Sequence, residues 1–427
     1  MTELPRALER LAPLVKRGMV PGLDAMRAAL AASGDPQRAI PCVHVAGTNG
    51  KGSVSATVDA VLRASGLRVG LYTSPHLHRF VERVRVDGEP LGEPLAAALA
   101  DAILREVDAG ALPDLTFFEA ATLLAWRAFE REGVAFAVLE VGLGGRLDAT
   151  TVCAPRVTAI TRIALEHTAV LGTTLDAIAR EKAGILKPGV PCVLGPGLAR
   201  ALNPEAREAI EQVARAVGAP LYDAPTIARE GAAVRALWRG RELVLRPSLA
   251  GPWHAENLAV ALGVIDRLCD AGVAVSPAAL AAGVASVRWP ARMERIGDVL
   301  LDAAHNPDGV AALVAALPEV LQKAHLGAMV FGASRDKDYA PMMATLARVI
   351  DPSRWYLAAA AMQRAAEPEA LASLMGGVAC ESPEAALALA RARCAPGEVV
   401  LVCGSIFLVA AVRAALLGIA QDPSIPL

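Results

Sequence analysis

Pro41-Cys42-Val43-His44-Val45-Ala46-Gly47-Thr48-Asn49-Gly50-Lys51-Gly52-Ser53 is the stretch that decides the fold. Pro41 to Ala46 is a short apolar run that ends in a glycine-rich turn, and Ser53 to Ser65 reads as the helix that follows. Glycines let a backbone curl so that several N–H groups face one anion. The start of a helix adds partial positive charge at the same place. Lys51 is placed to reach the β and γ phosphates of a nucleotide, and Ser53 to meet a phosphate or Mg²⁺. The strict phosphate-loop pattern has four residues between its first glycine and Gly-Lys, with Ser or Thr directly after the lysine. Here the spacing is shorter and Gly52 intervenes, so a plain glycine-rich turn is the bland alternative.

The same rhythm continues outward. Arg68 to Thr73, Ala135 to Val141, Val157 to Ile163 and Pro191 to Gly195 are further apolar runs, with a helix expected over Thr174 to Ala183. Short apolar runs alternating with helices predict a buried parallel sheet covered on both faces. After about residue 290 the rhythm restarts with Val299 to Ala303, Gly327 to Gly332, Arg354 to Ala358 and Val399 to Cys403, and a helix from Asp308. Two α/β domains are therefore expected, 1–290 and a smaller 291–427, divided where Pro290 disfavours helix for Trp289. Ligands of open parallel sheets bind beyond the carboxyl ends of the strands. Two such edges facing each other would form a cleft for a nucleotide and an acceptor.

Bulk properties exclude several classes. A net charge of −2 over 427 residues gives no basic excess for a nucleic-acid partner. The mean hydropathy of +0.41 is high, but it comes largely from alanine, and no apolar run reaches membrane-spanning length. Met1-Thr2-Glu3-Leu4-Pro5-Arg6 carries an early acid and no apolar core, so no signal peptide is expected. The seven cysteines are scattered without a Cys-x-x-Cys pair, which points to reduced thiols in a cytoplasm and away from zinc. Only six of the 42 basic residues are lysine, at 16, 51, 182, 187, 323 and 337. A lysine kept in so arginine-rich a chain is a candidate for work that needs a compact ammonium or a nucleophilic amine.

Three further segments carry chemistry: Tyr72-Thr73-Ser74-Pro75-His76-Leu77; Leu139-Glu140 running into Gly142-Leu143-Gly144-Gly145-Arg146-Leu147-Asp148-Ala149-Thr150; and Leu165-Glu166-His167-Thr168, followed by Glu181-Lys182-Ala183-Gly184. Glu140 ends an apolar strand, where a carboxylate needs a partner or a cation. Beside a triphosphate that cation is Mg²⁺, which prefers oxygen. Ser74 offers a hydroxyl at a neighbouring strand end. His167 reads on chemistry alone as a base or hydrogen-bond donor. The competing readings are a salt-bridged strand end for Glu140, a turn residue for Ser74, a satisfied loop histidine for His167 and a helix-terminal cation for Lys182.

Gly47-Thr48-Asn49-Gly50-Lys51-Gly52-Ser53 resembles the loop of the Mur ligase superfamily, and within it the chain resembles the folylpolyglutamate synthase/dihydrofolate synthase family from about Val43 to about Phe407. The resemblance implies an N-terminal P-loop ATPase domain plus a Rossmann-like domain, and ligation of L-glutamate to dihydropteroate or to folates. It implies ATP, two Mg²⁺ ions held by residues matching Ser74, Glu140 and His167, and a Lys182 that captures CO₂ as a carbamate whose carboxylate helps hold the second metal. Trp289-Pro290-Ala291-Arg292-Met293-Glu294, Asp302-Ala303-Ala304-His305-Asn306-Pro307 and Gly332 to Asp338 resemble further family elements. By this carry-over Asn257 meets the adenine, Arg292 the phosphates, and Asp302 and His305 the nucleoside. Phe117, Phe118, Arg146 and Asp148 belong to the pterin pocket, with Phe117 and Phe118 stacking on the ring or simply packing the core. Arg335 and Ser405 line a glutamate pocket. A monomer is implied, with small molecules as its only partners.

Five positions depart from the family: Glu166 for Asp, Thr151 for Asn, Ala169 for Asp, Ala291 for Gly, and Trp253-His254 in place of a glutamine before Asn257. Two rival readings remain at this stage. One is another Mur-type amide ligase with a UDP-linked muramyl acceptor, against which Ser74-Pro75-His76-Leu77 and the 142–150 run speak. The other is a nucleotide-binding protein without turnover, which would need no metal and carbamate site.

Overall fold

The computed structural model describes residues 3–17, 22–362 and 364–422; Met1 and Thr2, part of the N-terminal reading, lie outside them. Eight strands form the first sheet: β1 Cys42–Ala46, β2 Val69–Tyr72, β3 Val84–Val86, β4 Glu89–Pro90, β5 Phe136–Glu140, β6 Pro155–Ile160, β7 Cys192–Leu194 and β8 Leu221–Asp223. Their order is β4-β3-β2-β5-β1-β6-β7-β8, parallel from β2 to β8, with β3 and β4 antiparallel at one edge. β1, β2, β5 and β7 are buried at every residue, as expected of strands covered on both faces.

A three-stranded antiparallel sheet follows, β9 Ile227–Glu230, β10 Ala233–Trp238 and β11 Arg241–Leu245, in the order β11-β10-β9. The second large sheet is β12 Glu294–Ile296, β13 Val299–Leu301, β14 His325–Phe331, β15 Trp355–Leu357, β16 Val378–Ala379 and β17 Glu398–Cys403. Its order is β12-β13-β17-β14-β15-β16, parallel except for β12. The fold is thus two-domain α/β, as the rhythm of the sequence predicts.

Some boundaries differ from the sequence reading. The helix after the glycine loop begins at Lys51 and runs to Ala64, because Gly50, at φ 92°, already caps it. The segment around Thr116 to Glu119, for which the sequence reading gives no element, is a helix start. Thr116 Oγ1 accepts from Glu119 N at 3.3 Å while the Glu119 carboxylate accepts from Thr116 N at 2.8 Å. This is a capping box opening the helix Phe117–Arg131, and its Thr-x-x-Glu signature stands in the sequence. Among the described residues no helix is long and apolar enough to cross a membrane.

Candidate active site

The sheet order brings four chemistry-bearing ends side by side: Ser74 after β2, Glu140 at the end of β5, the glycine loop after β1 and Thr161 to His167 after β6. The loop fits its surroundings closely. A Cβ on Gly50 would lie 2.2 Å from Asn257 Oδ1, so the Asn257 amide rests directly on the loop backbone. A Cβ on Gly52 would lie 2.8 Å from the Trp289 ring. Gly52, which breaks the strict loop pattern, is where the indole of the interdomain joint packs. Ser53 is buried in the first helical turn. Thr48 N donates to Arg162 O at 2.6 Å and its hydroxyl to Ala164 O at 3.1 Å, tying the loop to the segment after β6.

Lys51 Nζ donates to the carbonyls of Gly47 and Thr48, both at 3.1 Å, and Lys182 Nζ donates to the same Gly47 oxygen at 2.8 Å. Lys182 is buried, and its pKa is pushed down to about 7, by burial first and by the Lys51 charge second. Glu140 is also buried; it accepts one backbone bond, from Ser74 N at 3.2 Å, and burial pushes its carboxyl above the usual range. His167 adopts a left-handed backbone at φ 50°, and desolvation and the Lys337 ammonium push its pKa down to about 4, so it is neutral.

The oxygen donors Ser53, Ser74 and Glu140 with a neutral His167 suit a hard divalent cation. As an amine Lys182 opposes one; as a carbamate it would supply the missing anion. Among the described residues no cluster of three or more His, Cys, Asp or Glu side chains forms a metal site by itself.

The second sheet faces this edge. Asp302, just after β13, is buried and accepts from Met293 N and Ala304 N, both at 2.9 Å. It therefore fixes the joint, while Asn306 caps the next helix by accepting from Gly309 N at 2.7 Å. Asn49, Gly50, Ser53, Asn257, Arg292, Asp302 and His305 line one cavity between the two sheets. Trp253, His254 and Arg162 line it too, with the Arg162 guanidinium 3.6 Å from the Trp253 ring centroid.

Glu166, which the sequence marks only as a departure from the family, is given a place in the site by three partners. Its Oε1 accepts from Lys337 Nζ at 2.9 Å and Asn306 Nδ2 at 3.1 Å, and lies 3.0 Å from His305 Nε2. Burial alone would raise its pKa, but His305, Lys337 and Lys51 hold it well below the usual carboxylate range. Asn49 reaches across as well, to Asn306 Oδ1 at 3.1 Å and Asp308 Oδ2 at 2.8 Å. The scarcity of lysine was the available signal: Lys51, Lys182 and Lys337 all converge here.

Beyond Ser74, whose peptide bond to Pro75 is cis, lies an aromatic wall. Phe117 is buried, edge-on to Phe80 at 6.0 Å and 5.5 Å from the Arg83 guanidinium, so it packs the core. Phe118 is half-buried and lies over Gly142, where a Cβ would come 2.4 Å from its ring. The buried Arg83 donates from Nε to His76 Nδ1 at 2.9 Å, which leaves the proton of a neutral His76 on Nε2. Asp148 is buried and accepts from Leu143 N at 2.9 Å and Thr150 N at 3.0 Å, so it organises its own loop. Arg146 pairs with Glu181 at 2.8 Å near the surface. Arg335 is exposed, with its N–H bonded to Arg364 O at 2.7 Å. The buried Ser405 hydroxyl has no partner among the described residues.

Two α/β sheets with a phosphate loop, paired lysines and a buried carboxylate facing each other define a Mur-type ATP-dependent ligase. Residues 291–406 match the family model for the Mur ligase, glutamate ligase domain. The chain belongs to the folylpolyglutamate synthase/dihydrofolate synthase family of ATP-dependent glutamate ligases. The Escherichia coli FolC structure in complex with DHPP and ADP superposes with a TM-score of 0.86 at 32% identity, covering 97% of each chain. The Yersinia pestis bifunctional folylpolyglutamate synthase/dihydrofolate synthase complexed with AMPPNP and Mn ion gives 0.85 at 34%, covering 97% of this chain and 98% of that one. A probable bifunctional folylpolyglutamate synthase/dihydropteroate synthase of Haloferax volcanii is 38% identical over 96% of this chain, and the chain spans 50% of that protein's length.

Proposed function

We propose that this chain joins L-glutamate to the free carboxylate of dihydropteroate, of reduced folates, or of both, at the expense of ATP. The observation that carries the reading is the convergence of Lys51, Lys182, Glu140 and Ser74 at one sheet edge opposite His305 and Lys337. The nucleotide occupies the cavity lined by Asn257, Arg292, Asp302 and His305. The acceptor lies along Ser74 to Arg83, with Phe118 against the flat ring. Phe117 and Asp148 support that pocket from behind, Arg146 closes its rim, and Arg335 and Ser405 flank the glutamate.

An acceptor carboxylate oxygen bonds to the γ phosphorus as the bond to the β–γ bridging oxygen breaks and ADP departs. The glutamate amine then bonds to the acyl carbon, the carbon–oxygen bond to phosphate breaks, and the amine proton leaves with the departing phosphate. Lys51 is placed against the transferring phosphoryl group. Ser53, Ser74, Glu140, His167 and a carbamylated Lys182 would hold two Mg²⁺ ions, which would neutralise phosphate charge. Closure of the cleft by Glu166 and its partners excludes the water that would hydrolyse the acyl phosphate. A monomer in a cytoplasm suits this chemistry.

The test is phosphate release from MgATP with L-glutamate and either dihydropteroate or tetrahydrofolate, with products weighed by mass spectrometry. Turnover with dihydropteroate, tetrahydrofolate or both assigns the acceptor. Release with neither, while ATP still binds, rejects the folate reading.

A further inference from the structure

The segment after the last helix, Ile406–Leu417, crosses back to the first domain and meets the loop that follows Ser74. Four successive amides of that loop point at carboxylates. Leu77, His78 and Arg79 donate to Glu82 at 2.8, 3.2 and 3.0 Å, so the loop closes on its own side chain. The fourth, Phe80 N, donates to Asp422 Oδ2 at 2.7 Å. Asp422 N returns a bond to His78 O at 3.0 Å, and Asp422 Oδ1 lies 3.4 Å from Arg79 Nε. The Asp422 side chain is only 4% exposed. A carboxylate so buried costs free energy unless its bonds hold, so this contact is specific.

Phe80 is the piece that Asp422 fixes. Its buried ring stands edge-on to Phe117 at 6.0 Å and against His76 at 6.4 Å. His76 in turn receives Arg83 and lies two residues from Ser74. The wall along which the acceptor lies is therefore completed by a residue of the second domain's far end. Asp422 lies beyond Phe407, where the motifs of the family resemblance stop.

We propose that Asp422 is a positioning residue for the acceptor: it straps the second domain to the loop Leu77–Phe80 and so holds Phe80, His76 and Arg83 in place. The proposal rests on the acceptor lying along Ser74 to Arg83. Loss of one charge-assisted bond to a buried amide predicts about a tenfold rise in acceptor KM for Asp422→Ala. The KM for ATP should stay within about twofold of the wild type, since the bonds of Asp422 among the described residues go to His78, Arg79 and Phe80, none of which lines the nucleotide cavity. Asp422→Asn keeps an oxygen for Phe80 N and should recover most of the loss.

Two measurements are needed. Steady-state kinetics of the full chain, varying dihydropteroate or tetrahydrofolate and ATP separately, read the effect on the reaction. Amide exchange over residues 76–83, without substrates, reads the strap itself. Faster exchange there in Asp422→Ala, a raised acceptor KM and rescue by Asp422→Asn support the proposal. Unchanged exchange overturns it whatever the acceptor is. Parallel changes in both KM values, or an unchanged acceptor KM with faster exchange, overturn the positioning role. Absence of wild-type turnover would reject the functional reading instead, and the exchange result would still decide the strap.

Discussion

Lys182 and Lys51 donate to one carbonyl oxygen, that of Gly47, and two full ammonium charges so close oppose each other. The buried Lys182 yields, with its pKa brought down to about 7. Below that value the amine is protonated and inert to CO₂; above it the free amine predominates. After removal of CO₂ and bicarbonate, activity should fall, and at equal dissolved CO₂ it should be restored faster at pH 8 than at pH 6. A carbon-13 carbamate signal that is absent from Lys182→Ala would verify the site, and that variant should lose about 100-fold or more in kcat. Glu166→Gln removes the charge that Lys337 and His305 share. The pair is largely buried, and loss of its charge predicts about 2 kcal/mol, or roughly 30-fold in kcat/KM. Glu166→Asp keeps the charge and should lose less; equal losses in the two variants would show that charge is not what matters. Ser74, Glu140 and Asp302 could be singled out in the sequence because each stands at or just after a strand end, whereas Lys182 and Asn257 lie within helices. The role of Glu166 was not legible, since it depends on three partners 139 or more residues away. Thr151 is visible only as a departure; it bonds Gly145 O and accepts from Lys187 Nζ at 2.8 Å. Ala169 is exposed, and nothing in the structure connects that departure to the site.

The joint between the sheets shows how an element absorbs a change that looks costly in sequence. Ala291 has φ 59° and Met293 φ 49°, left-handed conformations in which glycine carries no penalty. An alanine there costs about 1–2 kcal/mol. Against this, glycine would add about 0.4–1 kcal/mol of unfolded-state entropy. It would also forfeit one methyl, buried at 1% exposure, worth about 0.8 kcal/mol. The terms nearly cancel. Ala291→Gly should leave stability within about 0.5 kcal/mol of the wild type, whereas Ala291→Val adds a branched Cβ to the same backbone and should lose about 2 kcal/mol or more. Urea denaturation of both variants checks this; a large gain for glycine would mean the buried methyl does nothing. Elements were legible in proportion to their burial. β1, β2 and β5 are continuous apolar runs and stand out. β10 alternates buried and exposed residues from Val234 to Trp238 and could have been read by its period of two, but its short partners β9 and β11 are mostly exposed and carry little signal. β4 and β16 have two residues each, too few for any period.

At the scale of the molecule the two domains meet along two seams with different chemistry. On the nucleotide side Glu166, Asn49 and Arg162 reach His305, Asn306, Lys337 and Asp308 around the cavity. On the side of the loop after Ser74, Arg413 forks onto Glu294 at 2.8 and 3.0 Å and extends to His78 Nε2 at 3.0 Å, while Glu294 also accepts from Ala291 N at 2.8 Å. The joint at 291–293 is thus tied through Glu294 to Arg413 of the last described helix. Burial would raise the Glu294 pKa, but Arg413 and the Ala291 amide outweigh it and hold the carboxyl below its ordinary 4.5. A carboxyl depressed in the folded state contributes stability that is present above the unfolded value and lost as pH falls through the folded one. The contribution of the Glu294 carboxylate to this seam should therefore weaken from about pH 4.5 downward. Glu294→Gln cannot titrate. Its melting temperature should lie below the wild type's at neutral pH, and the gap should close as pH falls below that value. A gap that stays constant across the acid range would show that the fork with Arg413 contributes through shape alone, and that the charge across this seam does not hold the domains together.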